Sequence, residues 1–286
     1  MTFDRRTTAH RPDLACESLR GQVSAERFTR GQPRQIAVAY ESLHRHPSPD
    51  APVDTQALFG ERVDVFDERD GWAWVQLRAD RYVGYVPARS LMAVGVEATH
   101  TVATLRTFVY PDANLKLPNL GLLSLHSRVS VVGTEGDFAQ LATGGWVIAA
   151  HLSPAGSAVA DFVAVAERFL HTPYLWGGKT SIGIDCSGLA QTALAAAGIA
   201  APRDSDMQER EVGSPVEIRS DLSGLQRGDL IFWKGHVALM QDATRMIHAT
   251  GHTMTVITEP LAVAEERIRT GGYGPITSIR RPAASR

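Results

Sequence analysis

One skeleton occurs twice in this chain, and it decides most of what the first half can become. Arg62-Val63-Asp64-Val65 is followed by Asp70-Gly71-Trp72-Ala73-Trp74 and then by Gly84-Tyr85-Val86-Pro87-Ala88-Arg89-Ser90-Leu91. Later, Arg128-Val129-Ser130-Val131 is followed by Gly136-Asp137-Phe138-Ala139 and then by Gly145-Trp146-Val147-Ile148-Ala149-Ala150-His151-Leu152. Both copies read Arg-Val-x-Val, an aromatic-Ala pair, and Gly-aromatic-Val-x-Ala-x-x-Leu, so the stretch is an internal duplication. Short apolar runs broken by turn residues mark β structure, and about sixty residues per copy suit a small five-stranded barrel. Before the repeats, Pro12 to Phe28 reads as a short helix, with Pro12 near its start and Leu14, Leu19 and Val23 as its apolar residues. Ser153-Pro154-Ala155-Gly156 reads as a linker.

Beyond the linker the pattern changes. Ser157 is placed to cap a helix over Ala158 to Leu170, with Val159, Phe162, Val163, Ala166, Phe169 and Leu170 on one face. Gly183-Ile184-Asp185-Cys186-Ser187-Gly188 then sets a cysteine at a glycine-flanked turn that runs into the helix former Leu189 to Ala197, ended by Gly198. A thiol at a helix start sits among unpaired N–H groups and the positive end of the dipole, which favour the reactive thiolate. The same amides suit an oxyanion formed when sulfur attacks a carbonyl. Downstream, Gly228-Asp229-Leu230-Ile231-Phe232-Trp233 and His236-Val237-Ala238-Leu239-Met240 read as two short strands around a turn, and Met246-Ile247-His248-Ala249 as a third. Cysteine first, histidine later and a polar orienting residue last is an order expected of a cysteine peptidase.

These segments resemble the NlpC/P60 family of cysteine peptidases, which cleave bacterial cell-wall peptides. The family's pattern is matched at Tyr174-Leu175-Trp176-Gly177-Gly178, at Asp185-Cys186-Ser187-Gly188, from Gly228 to His236, and at His248. The duplicated units resemble bacterial SH3 domains. The resemblance implies two small all-β SH3-like barrels followed by an α+β, papain-like NlpC/P60 domain. The expected layout is an N-terminal segment over 1–34, SH3 units over 35–95 and 98–153, and the peptidase over 157–286. It implies Cys186 as nucleophile, His236 as base in a thiolate–imidazolium pair, His248 as orienting residue and Tyr174 at the oxyanion hole.

Asp185 is expected to cap the helix, bind a substrate amine, or both, and Ser187 to touch substrate or finish the turn. Arg203-Asp204-Ser205-Asp206 reads as a polar loop. In relatives that join SH3 units to this peptidase, an Asp-Ser at that place binds the free amino end of an L-Ala-γ-D-Glu peptide, which implies Asp204 and Ser205 here. In those relatives an acidic residue and a tyrosine of the first SH3 unit wall the cleft, which implies Glu61 and Tyr82, with Tyr85 as the alternative.

Bulk numbers narrow the rest. A chain of 286 residues with formal net charge −2 has no bulk charge to recruit nucleic acid or an anionic membrane. Its two cysteines, Cys16 and Cys186, do not make a disulfide framework. His248-x-x-x-His252 has the spacing of a metal pair, but Thr250-Gly251 between them reads as a turn, so neither metal nor cofactor is expected. Met1 to Asp13 contains no apolar core of a secretory signal, so a cytoplasmic place is expected. The expected reaction is hydrolysis of the γ-D-Glu–diamino acid bond in imported murein peptides such as L-Ala-γ-D-Glu-meso-diaminopimelate, during recycling. The competing expectations are an exported hydrolase of intact wall, an SH3 peptide-binding protein without catalysis, and thiol-dependent acyl transfer on the same core.

Overall fold

The structure is a computed structural model that describes residues 3–283. The chain divides into two compact units, the first ending at Ala155 and the second starting at Gly156.

In the first unit, Asp70 and Gly71 both take positive φ, 51° and 79°. Such a turn matches the twist of a hairpin, and it joins the strands Arg62–Arg69 and Trp72–Leu77. Seven strands pair in the order Val53–Leu58, Tyr40–His44, Val83–Pro87, Trp72–Leu77, Arg62–Arg69, Gln32–Ile36 and Leu91–Ala93, with every neighbour antiparallel. Alternate residues along these strands supply one core that includes Ile36, Leu43, Val63, Val75, Leu77 and Val86. Seven strands replace the expected five, because Gln32–Ile36 and Leu91–Ala93 add to the sheet edge.

The expected helix over Pro12 to Phe28 is absent. Leu14–Cys16 is instead a strand paired in parallel with Arg27–Thr29, with a single 3-10 turn at Glu17–Leu19 between them. Gly21, inside the expected helix, has φ +80°, which no α-helix contains. Tertiary packing overrides the local pattern. Leu14 and Ala9 are buried with Phe66, Trp74 and Val83, and the Arg11 guanidinium lies 4.4 Å from the Trp74 ring centre.

Residues 100–154 form a second β module in the same unit, built from three small sheets around Val102, Leu123, Val129, Ala139, Leu141 and Val147. It repeats the ending of the first module. Val83–Pro87 leads into a 3-10 turn at Ala88–Ser90 and a strand at Leu91–Ala93, and Trp146–Ile148 leads into Ala149–His151 and Leu152–Pro154. The repeated Ala-x-x-Leu of the sequence is this turn and strand.

The second unit sets helices against a six-stranded antiparallel sheet, an α+β arrangement. Its strand order is Ser214–Val216, Ser278–Arg281, Leu230–Trp233, His236–Met240, Arg245–Thr250 and Thr255–Pro260. Helix α1 spans Phe162–Glu167 and helix α2 spans Cys186–Ala196. Helix α3 covers Ser205–Glu211 and helix α4 covers Leu261–Ile268. Helix α1 is shorter than the expected Ala158 to Leu170. Asp161, not Ser157, is its cap, accepting hydrogen bonds from the N–H groups of Val163 and Ala164. Arg227 fixes that carboxylate from the sheet side at 2.9 Å.

Candidate active site

The Cys186 turn is shaped by three glycines. Gly177 has φ +78°. A Cβ on Gly178 would lie 2.4 Å from the Gly183 carbonyl oxygen, and a Cβ on Gly188 would lie 2.2 Å from the Gly178 carbonyl oxygen. Only glycine lets these backbones approach so closely. Asp185 is the N-cap of α2, and Cys186 is the first residue of the helix.

The Asp185 carboxylate has no capacity left for a substrate. It accepts from Gly188 N at 2.7 Å, from Gly177 N at 2.8 Å, and from both Arg203 guanidinium nitrogens Nη1 and Nη2, at 2.9 and 2.7 Å. Of the roles expected for Asp185, helix capping is the one the structure shows. Ser187 is likewise engaged, since its hydroxyl accepts from Arg203 Nη1 at 2.8 Å. Arg203 was expected in a solvated loop, yet it is 1 % exposed. A buried guanidinium must find acceptors, and the Asp185 carboxylate, eighteen residues earlier in the chain, supplies them. The segment after Arg203 is the helix α3 rather than a loop. Asp204 stands at its N-cap and Ser205 opens it, both half-buried. Gln208 Nε2 donates to Ser187 O at 2.9 Å, a second tie between α3 and the Cys186 turn.

Cys186 is buried, and its sulfur is approached by the backbone N–H groups of Val237 and Ser187. Those donors and Arg203 favour a thiolate. Burial and the Asp185 charge outweigh them and push the thiol up to about 12. Burial, with the nearby Arg267 charge and the unfavourable pairing of a second proton with one on His248, pushes His236 down to about 3. Burial thus favours the uncharged form of each group taken singly, against the thiolate–imidazolium pair that the resemblance implies. Proton transfer between the two creates opposite charges together, which a dry site tolerates far better than either charge alone.

His236 opens its strand and His248 lies in the middle of the next one. The structure brings their rings together, with His236 Nε2 2.7 Å from His248 Nδ1. His248, 0 % exposed, is also 2.8 Å from Glu259 Oε1 through its Nε2. Glu259 pairs in turn with Arg267 of α4. Glu259 and Arg267 were missed at the level of sequence. Pairing of Arg245–Thr250 with Thr255–Pro260 sets Ile257 opposite His248 and Glu259 opposite Met246, which puts His248 and Glu259 on one face. That two-residue period was the available signal.

Tyr174 is half-buried beside this group. Burial and the proximity of Cys186 and Asp185 raise its phenol, so it stays protonated and can donate a hydrogen bond. A cavity of about 590 Å³ is lined by Tyr174, Trp176, His236, His252, Arg267 and Tyr273, among others. Glu61 and Tyr82 belong to the first unit. Glu61 accepts from the Leu58 N–H at 2.9 Å, and Tyr82 lies in the core of the first module. Tyr85 accepts a hydrogen bond from Arg11 Nη1 at 3.1 Å. Taken together, the second unit offers a buried thiol at a helix start, a histidine held by a second histidine, and a phenol donor, the parts of acyl transfer through a thioester.

Comparison with known families matches residues 171–268 to the NlpC/P60 family and residues 43–91 to the bacterial dipeptidyl-peptidase SH3 domain. The chain carries an NlpC/P60 domain, the domain of a cysteine peptidase family. Similar curated proteins include dipeptidyl-peptidase 6 of Lysinibacillus sphaericus, 29% identical over 73% of this chain and 84% of the relative. The γ-D-glutamyl-L-lysine dipeptidyl-peptidase of Bacillus subtilis is 27% identical over 77% of this chain and 80% of that one. Among solved structures, an NlpC/P60 family protein from Bacillus cereus has TM-score 0.73 at 23% identity, covering 88% of this chain and 99% of that one. In this NlpC/P60 peptidase the matched SH3 domain is the first β module, and the family match does not extend to the second.

Proposed function

We infer that this peptidase hydrolyses the γ-D-Glu–diamino acid bond of cell-wall peptides that carry a free N-terminal L-Ala. Cys186 is the nucleophile of this reading, since no other cysteine lies within the matched 171–268 stretch. Its sulfur attacks the γ-carbonyl carbon of D-Glu while the thiol proton passes to His236. The Tyr174 hydroxyl donates to the oxyanion, and the amine of the diamino acid leaves with the proton from His236. Water, deprotonated by the same imidazole, then cleaves the thioester and restores the thiol.

The observation that carries the substrate reading is the lock of Arg203 onto Asp185 and Ser187. On this reading the next two residues, Asp204 and Ser205, supply a carboxylate and a hydroxyl for the ammonium group. The names of the relatives support the same requirement, because a dipeptidyl-peptidase releases two residues from an amino terminus.

Further parts of the reading concern the first unit and the cell. The second β module is read as a second SH3 domain, on its repeated turn-and-strand ending, and the core of the second unit as papain-like. The cell-level reading is recycling of free murein peptides in the cytoplasm, tested by fractionation. The chemical test compares L-Ala-γ-D-Glu-meso-diaminopimelate and its L-Lys analogue with the N-acetylated peptides and with intact sacculi. Turnover is expected only for the free peptides, and it is lost in Cys186→Ala. Equal or better turnover of blocked peptides or sacculi overturns the reading.

A further inference from the structure

His236 Nε2, His248 Nδ1, His248 Nε2 and Glu259 Oε1 form one line of hydrogen bonds, with links of 2.7 and 2.8 Å. A line of this kind can carry its protons in only a few ways, and its end fixes which. We propose that Glu259 is a positioning residue that, through His248, leaves His236 with its lone pair on Nδ1 in the resting enzyme. The proposal rests on the peptidase reading above.

The argument runs from the carboxylate inward. Burial works against the charge of Glu259, but the hydrogen bond from His248 and the charge of Arg267 outweigh it and keep the carboxyl below its ordinary range. An ionised carboxylate only accepts, so His248 Nε2 must carry the hydrogen. Burial keeps the His248 ring neutral against the pull of Glu259, so its Nδ1 has a lone pair and must accept. His236 Nε2 is then the donor. In a neutral ring the remaining nitrogen, Nδ1, is the base.

Stereochemistry makes this the useful nitrogen. Nδ1 is the ring nitrogen nearer the backbone, and the Cys186 sulfur is approached by the N–H of Val237, the next residue after His236. With the opposite tautomer, Nδ1 would carry a hydrogen and could not take the thiol proton. The charged and titratable groups acting on the two rings are Glu259 at the end of its strand, Arg267 on α4, and His252 in the turn after Thr250. Of these, Glu259 is the one hydrogen-bonded to His248 Nε2. Arg267 holds the carboxylate from the far side.

The test has two arms on the full chain. Long-range 15N–1H spectra of the labelled wild-type protein read the tautomer of each ring, with His236→Gln and His248→Gln spectra giving the assignment. Both rings are expected to be neutral with hydrogen on Nε2 at pH 7. Hydrogen on Nδ1 of His236 overturns the proposal, whatever the substrate proves to be. The second arm is Glu259→Gln, which keeps the shape, removes the charge and can turn an N–H toward His248. Its kcat on the free tripeptide is expected to fall on the order of tenfold or more, with KM within about twofold, and the His236 tautomer signal to become mixed. A single unchanged tautomer with unchanged kcat overturns the proposal. Should wild type turn over no murein peptide, the substrate reading falls while the spectra still decide the wiring.

Discussion

Arg203 Nη2 lies 2.7 Å from Asp185 Oδ2 in the protein interior, and that pair, rather than any cap on α2 alone, holds the Cys186 turn in place. The carboxylate also ties Gly177 and Gly188, one on each side of the cysteine. Arg203→Ala removes one partner and leaves a buried charge. A loss of about 3–5 kcal/mol is expected in urea unfolding, larger than for any exposed arginine. Arg203→Lys recovers only part of this, because an ammonium cannot reproduce the two-pronged geometry.

Gly188→Ala is expected to cost about 3 kcal/mol of stability, and to lower kcat in whatever protein folds. The added Cβ would lie 2.2 Å from a backbone oxygen, which cannot swing aside as a side chain would. Thermal unfolding and kinetics on the same samples check both effects. Gly251→Ala, with nothing near its Cβ, is the control and should change little.

Tyr174→Phe removes one donor without changing the ring. The kcat for the free tripeptide is expected to fall on the order of 100-fold, with little change in unfolding midpoint. A drop confined to KM would give Tyr174 a binding role instead.

Stability should fall as pH is lowered from about 6.5 toward 3. The unfolded chain protonates His236 near its ordinary 6.5, whereas the folded protein resists until about 3, so the unfolded state binds the extra proton throughout that window. Each such histidine contributes a slope of about 1.4 kcal/mol per pH unit there, and His248, depressed in the same direction, adds to it. Unfolding midpoints measured across this range should flatten in His236→Gln.

The elements that local pattern alone can specify were legible. The helix after Cys186, the strands opening at Leu230 and His236, and the strand carrying His248 follow from apolar runs and turn residues. What was not legible depends on distant partners. Pro12 to Phe28 lost its helix to the apolar cluster around Trp74. Arg203 looked solvated because its acceptor, Asp185, is eighteen residues away in sequence. Glu259 reads as an ordinary strand residue until the register with His248 is known. At Cys186 the helix dipole can be read from sequence, whereas the depth of burial that opposes it cannot.

That depth also governs what befalls the enzyme between turnovers. Peroxide and electrophiles attack ionised sulfur, and Cys186 rests protonated and enclosed, so an idle molecule should pass through oxidative stress with its thiol intact while the partly accessible Cys16 takes the first damage.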